Sequence, residues 1–220
     1  MLKLCIFDMD GTLVDTISSI AYFANRALNM YGLTAIEENY YKIMVGNGAR
    51  VLCERMIERT QGNSEQLEKV FKEYNESYDA DFLYLTKAYD GTIPMLKELK
   101  DMGVKTAILS NKPDVTAVKV SNALFEKGLI DVCHGARDGI ALKPNPEGVF
   151  ALLKEFGAEK DECLYIGDTA TDIKTAKNAG LTSIGVLWGF RDKAELESAG
   201  ADYIVSHPSE IIPIAQKFNN

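Results

Sequence analysis

Asp8 and Asp10 stand one residue apart at the end of an apolar run, Leu4-Cys5-Ile6-Phe7, and are followed by Gly11 and Thr12. On an extended chain, side chains at i and i+2 project to the same side, so both carboxylates reach one small volume just past the strand end. Two anions this close require a cation. They also do not ionise with equal ease, which gives one of them a route to donating a proton near neutral pH. That combination suits phosphoryl chemistry. Asp-x-Asp-Gly also opens calcium loops, but such a loop needs a preceding helix, glycine at its sixth position and glutamate at its twelfth; here Gly11 is fourth and Ser19 is twelfth.

Polar residues directly after other apolar runs are the natural companions, because open parallel sheets bind ligands beyond the carboxyl ends of their strands. The run Val104 to Leu109 leads into Ser110-Asn111-Lys112-Pro113, and Leu164-Tyr165-Ile166 leads into Gly167-Asp168-Thr169-Ala170-Thr171-Asp172. Each tip taken alone also reads as a helix cap, with Asp172 a solvated residue of a first turn. Lys143 precedes Pro144, which biases it away from helix, and Pro146 suits the first turn of the next helix, so Lys143 belongs on a loop. Among strand-tip carboxylates its ammonium would offset repulsion and hold a phosphate oxygen.

The elements that must position these groups fall into two regimes. From about Ser18 to Asp81 the apolar spacing is helical, as in Ile20, Phe23, Ala24, Ala27, Leu28 and Tyr31. Thr34 with Glu37 predicts a capping box for a second helix; Gly48 to Thr60 predicts a third, and Asn63 or Ser64 caps a fourth. From about Thr86, helices alternate with strand candidates at Lys105 to Leu109, Val132 to His134, Cys163 to Ile166, Thr182 to Val186 and Tyr203 to Val205. Alternation of this kind implies an α/β fold with a parallel sheet covered on both faces. The first strand belongs with the later ones, so the helical lobe, residues 15–85, is an insertion into a core made of residues 1–14 and 86–220.

With 46% hydrophobic residues in 220, the chain reads as an ordinary globular protein with one good core and a smaller lobe. A net charge of −8 disfavours nucleic acid or an anionic membrane as a general partner. Cys5, Cys53, Cys133 and Cys163 show neither disulfide nor zinc spacing, and no signal peptide or membrane span is indicated, so a reducing cytoplasm is the expected location.

Taken in order, Asp8-Met9-Asp10-Gly11-Thr12, Ser110-Asn111, Lys143-Pro144 and Gly167-Asp168 with Asp172 resemble the four motifs of the haloacid dehalogenase superfamily of aspartate-dependent phosphatases. The helical insert resembles that family's α-helical cap, and Gly46-Asn47-Gly48-Ala49-Arg50 resembles the cap's specificity loop in the phosphoglycolate phosphatase-like branch. The resemblance implies a Rossmann-like, doubly wound core with Asp8 as nucleophile and Asp10 as general acid and base. It further implies Mg2+ held by the Asp8 carboxylate, the Asp10 backbone carbonyl and Asp168, with Asp172 behind them. Ser110, the Asn111 amide and Lys143 would bind the transferring phosphoryl group. Gly46, Asn47, Gly48 and Arg50 would face the substrate, with Arg50 either on its anionic end or an exposed helix arginine. Trp188 reads chiefly as packing.

The expected partner is a small-molecule phosphate ester, 2-phosphoglycolate first, cleaved by a monomer or homodimer. Pyrophosphate and phosphosugars, the latter hydrolysed or isomerised, are the alternatives on the same site. A catalytically silent phosphate-binding module is the alternative of another class. Such modules typically lack a nucleophile, lysine or metal carboxylate, and this chain has them all.

Overall fold

The computed structural model describes residues 1–218; Asn219 and Asn220, at the end of the expected core segment, lie outside the described residues. In chain order the elements are β1 (Leu4–Phe7), β2 (Val14–Asp15), α1 (Ile17–Met30), α2 (Glu38–Met44), α3 (Ala49–Arg59), α4 (Ser64–Ala80), β3 (Lys87–Ala88), α5 (Thr92–Asp101) and β4 (Lys105–Pro113). They continue with α6 (Asp114–Leu124), β5 (Val132–Ala136), α7 (Glu147–Phe156), β6 (Cys163–Gly167), α8 (Ala170–Ala179), β7 (Thr182–Val186), α9 (Lys193–Ala199), β8 (Tyr203–Val205) and α10 (Ile211–Lys217).

Six parallel strands form one sheet in the order β5-β4-β1-β6-β7-β8. Taken by their succession in the chain, this is the 3-2-1-4-5-6 order of a doubly wound sheet, whose direction reverses at β1. All four residues of β1 are buried because both faces of the sheet are covered. Cys5 and Phe7 join one apolar cluster with Met95, Leu99, Val120 and Ile211, on the face under α5, α6 and α10. Leu4 and Ile6 join another with Val149, Leu152 and Ala176, under α7 and α8. The register aligns Phe7 with both Ile108 and Ile166, so the residues that follow three adjacent strands emerge at one edge.

Helices α1 to α4 enclose a third cluster, with Phe23, Tyr41, Met56, Val70 and Tyr74 inside it and Phe190 reaching in from the sheet side. The chain leaves for these helices through β2 and returns through β3, and those two short strands pair antiparallel. Among the described residues no helix is long and apolar enough to cross a membrane.

Some local expectations differ from what forms. Asn63 does cap α4 in a capping box with Gln66. The Thr34 and Glu37 box does not: α2 begins after Glu37 with no side-chain cap. There the side chain of Asn25 on α1 takes over, accepting from Ile36 N at 2.8 Å and donating to Ile36 O at 2.9 Å. A tertiary contact has replaced the local one. Strand β4 also runs beyond Leu109, through Pro113, with its register to β5 shifting after Leu109. This extension carries Ser110 and Lys112 as strand residues.

Candidate active site

Asp8 is fixed at the tip of β1 by its own N–H, which donates to Ile166 O at 2.8 Å across to β6. Its side chain is buried, and Oδ1 accepts from Met9 N at 2.7 Å and pairs with Lys143 Nζ at 2.8 Å. Oδ2 is left without a hydrogen bond to the described residues. Lys143 Nζ also donates to Asp172 Oδ1 at 2.7 Å, so one buried ammonium bridges two carboxylates.

Asn111 holds Lys143 there. Its Oδ1 accepts from Lys143 N at 2.9 Å while its Nδ2 donates to Lys143 O at 3.1 Å and to Gly46 O at 3.0 Å. The expected loop placement of Lys143 is therefore enforced by a side chain acting as a splint on its backbone. Ser110 is buried beside it, and its Oγ accepts from Lys112 N at 3.2 Å.

Asp168 and Asp172 flank the start of α8. Thr169 is the N-cap in a reciprocal capping box with Asp172, whose Oδ2 accepts from Thr169 Oγ1 at 2.6 Å and Thr169 N at 3.1 Å. Asp172 is wholly buried, which excludes the alternative of a solvated first-turn residue. Both of its oxygens are engaged, one on Thr169 and one on Lys143, and its place is that of a support for the lysine. Asp168 is wholly buried as well; its Oδ2 accepts from Phe190 N at 2.8 Å and its Oδ1 from Thr12 Oγ1 at 3.3 Å.

Carboxylate oxygens of Asp8, Asp168 and Asp172 lie within 4.8 Å of one another. Against these three anions the cluster sets the single charge of Lys143. Burial, reinforced by Asp172, pushes Asp8 up to about 7, and burial with the charges of Asp172 and Asp8 raises Asp168 well above the usual carboxylate range. Lys143 is raised well above its ordinary value because Asp172 and Asp8 outweigh its desolvation. A buried cluster with excess negative charge and only oxygen donors fits a hard divalent cation. The fit is tight: a Cβ placed on Gly11 would lie 2.7 Å from Asp168 Cγ.

The Asp10 carboxylate is not in that cluster. It pairs with Lys112 Nζ at 3.1 and 3.2 Å, and the same ammonium donates to the Tyr78 hydroxyl of α4 at 3.0 Å. Lys112 was not among the residues singled out from the sequence. Had β4 been extended past Leu109, the period of two would have put Lys112 on the side of Ser110.

The helical lobe is seated on the sheet edge. Beyond the Asn111 to Gly46 contact, Asn47 Nδ2 donates to Thr171 Oγ1 at 3.4 Å and Arg191 Nη2 donates to Val45 O at 3.1 Å. Arg55, also absent from the sequence reading, shapes this loop by donating to Met44 O at 2.6 Å and Asn47 Oδ1 at 2.9 Å. Gly46 and Gly48 have φ of 106° and 90°, which favour glycine. Both line a partly open cavity of about 70 Å³ together with Asp8, Asp10, Ser110 and Lys143. Arg50 does not line it: its guanidinium is exposed, bound to Glu68 at 2.7 and 2.9 Å and to Glu54 at 3.2 Å. The next position on α3 that turns inward is Leu52. Trp188 packs against the core and donates its indole N–H to Thr12 O at 2.9 Å.

Residues 5–186 match the family model of the haloacid dehalogenase-like hydrolases. The phosphoglycolate phosphatase of Aquifex aeolicus is 30% identical over 213 residues, covering 97% of this chain and 96% of its own. The N-acetylmuramic acid 6-phosphate phosphatase of Pseudomonas aeruginosa is 28% identical over 98% of this chain and 96% of its own. Among solved structures, a Lactobacillus delbrueckii subsp. bulgaricus protein assigned as a phosphoglycolate phosphatase superposes with a TM-score of 0.92 at 29% identity, covering 97% of this chain and 98% of its own. The chain belongs to the haloacid dehalogenase-like hydrolases, and it is an enzyme of their phosphatase branch. Within that branch its likeness is to the phosphoglycolate phosphatases.

Proposed function

We propose that this protein hydrolyses small phosphomonoesters through an aspartyl-phosphate intermediate on Asp8, with 2-phosphoglycolate as the first substrate to test. The observation that carries the reading is the Asp8 carboxylate: buried, lining the cavity, one oxygen held by Lys143 at 2.8 Å and the other without a hydrogen bond among the described residues. That oxygen attacks phosphorus while Lys143, Ser110 and the Asn111 amide gather the phosphoryl oxygens. Asp10, on the cavity wall, delivers a proton to the departing ester oxygen and then takes one from the water that cleaves the intermediate.

Mg2+ would be held by Asp8, the Asp10 carbonyl and Asp168, with Asp172 supporting Lys143. It would supply charge neutralisation for nucleophile and phosphoryl oxygens. The seated helical lobe excludes bulk water, and the tight cavity favours a leaving group of a few atoms over a phosphorylated sugar.

Phosphate release from 2-phosphoglycolate, glycerol phosphate, a hexose 6-phosphate and pyrophosphate, each with and without Mg2+, tests the reading. Turnover of 2-phosphoglycolate should exceed that of the hexose phosphate by about 100-fold or more, on the scale of a size-restricted pocket. Binding of phosphate with no turnover of any ester would establish the silent module instead.

A further inference from the structure

The cavity raises a question of charge that the specificity loop does not answer. Its walls on the helical side include Ile20, Val45, Leu52, Tyr74, Asn75 and Tyr78, and none of the lining side chains from α1 to α4 is cationic. The cations that line it are Lys143 and Lys112, both carried by the sheet side. Lys143 holds Asp8 and Asp172, and its remaining donor serves the phosphoryl group in the proposed reaction.

Resting on the reading of the protein as a phosphomonoesterase, we propose that Lys112, assisted by the Tyr78 hydroxyl, receives a second anionic group on the substrate, a carboxylate one carbon away from the ester oxygen, and so sets the preference for phosphorylated α-hydroxy acids.

Four observations carry this. The Lys112 side chain is only 7% exposed, although a surface lysine could have neutralised Asp10 from solvent at far lower desolvation cost. An ammonium has three N–H donors; both Asp10 oxygens engage it, at 3.1 and 3.2 Å, and the Tyr78 hydroxyl at 3.0 Å, so a ligand carboxylate in the cavity that Lys112 lines would take over one of the two near-equivalent Asp10 contacts. Its position follows from the chemistry: the ester oxygen must lie within hydrogen-bond reach of Asp10, and Lys112 Nζ is one further hydrogen bond along. A carboxylate joined to that oxygen through one methylene spans the same step. Finally, the ammonium lies 4.4 Å from the Tyr78 ring centroid, which fixes it against the lobe as well as the sheet. An anion bound there touches β4 and α4 together, so it favours the seated position of the lobe in which Asp10 is enclosed.

The test is the ratio of kcat/KM for 2-phosphoglycolate to that for its uncharged amide, 2-phosphoglycolamide, which matches it in size. Wild type should prefer the carboxylate, and Lys112→Met should lower the ratio by about 10- to 100-fold, the range of a charge-assisted hydrogen bond. Lys112→Arg should keep part of the preference, and Tyr78→Phe should reduce it by less than about tenfold. If Lys112→Met does not fold, as judged by circular dichroism and a cooperative melt, the other two variants carry the comparison. A ratio unchanged by these substitutions, even with both rates lowered, overturns the inference, since equal losses are what disturbing Asp10 alone would give. Equal cleavage of both esters by wild type overturns it too while leaving the proposed function intact. Cleavage of neither ester overturns the 2-phosphoglycolate reading and this inference with it.

Discussion

Gly11→Ala separates backbone strain from damage to the Asp8, Asp168 and Asp172 cluster. Gly11 has φ 89°, a region where a Cβ costs about 1–2 kcal/mol. Its Cβ would also stand 2.7 Å from Asp168 Cγ and 2.8 Å from Oδ1, and closer still to Oδ2. Ordinary contact is about 3.5 Å, so the carboxylate must retreat by roughly 1 Å. It cannot do so freely, because Oδ2 is tied to Phe190 N at 2.8 Å and Gly189 closes the other side at 2.6 Å for an added Cβ. Gly103 is the control: its φ is 79°, and a Cβ there meets nothing within 4 Å. Both variants should lose about 1–2 kcal/mol in urea unfolding from strain alone, with Gly11→Ala losing more. Only Gly11→Ala should cut kcat/KM by about 100-fold and raise the Mg2+ concentration for half-maximal rate about tenfold or more. Folded Gly11→Ala protein with wild-type turnover and Mg2+ response would refute the placement of Asp168 at the ion.

Lys143→Ala leaves Asp8 and Asp172 facing each other without a cation; unfolding in metal-free buffer should show a loss of about 3–5 kcal/mol, partly restored by Mg2+, and kcat/KM should fall at least about 100-fold. Because the folded Asp8 carboxyl titrates near 7 while the unfolded one titrates in the usual carboxylate range, the folded state binds the extra proton in between. Metal-free stability at this site is therefore fully present below about pH 4 and is lost as pH rises toward 7; urea midpoints across this window should fall, with a shallower slope in Asp8→Asn and with Mg2+. Asp10→Asn should still accept a phosphoryl group from p-nitrophenyl phosphate, whose leaving group needs no proton, while failing on alkyl esters, as single-turnover bursts would show. Arg50→Ala should leave the relative rates across anionic and neutral esters unchanged, since the guanidinium is held by Glu54 and Glu68 outside the cavity; a selective loss on anionic esters would reinstate it as a substrate contact.

The sheet and its carboxyl-edge residues were legible because buried parallel strands read as unbroken apolar runs, and the polar residues ending them mark the ligand edge. Asp8 and Asp168, which end two of those runs, lie with Asp172 in one cluster, and Lys143, read as a loop residue, bridges Asp8 and Asp172. What escaped the sequence depends on contacts between distant segments. Lys112 lay hidden because the apolar run stops at Leu109, whereas the strand itself continues to Pro113. The Thr34 cap lost to Asn25, a partner nine residues earlier that no local pattern reveals. For Arg50 the sequence leaves an anion receptor and an exposed helix arginine equally open; its helix phase turns it to solvent, where Glu68 of the neighbouring helix binds it. For Asp172 the bonds to Lys143 and Tyr165 decide between a solvated capping residue and a buried member of the site.

The central claim, that Asp8 carries the phosphoryl group, is tested most directly by acid-quenching the enzyme with Mg2+ and 2-phosphoglycolate during turnover and mapping the adduct by mass spectrometry. The geometry predicts a single acid-stable, hydroxylamine-labile phosphoryl group on the peptide containing Asp8, absent in Asp8→Asn. Steady phosphate release with no adduct, or an adduct on another residue, would contradict the account.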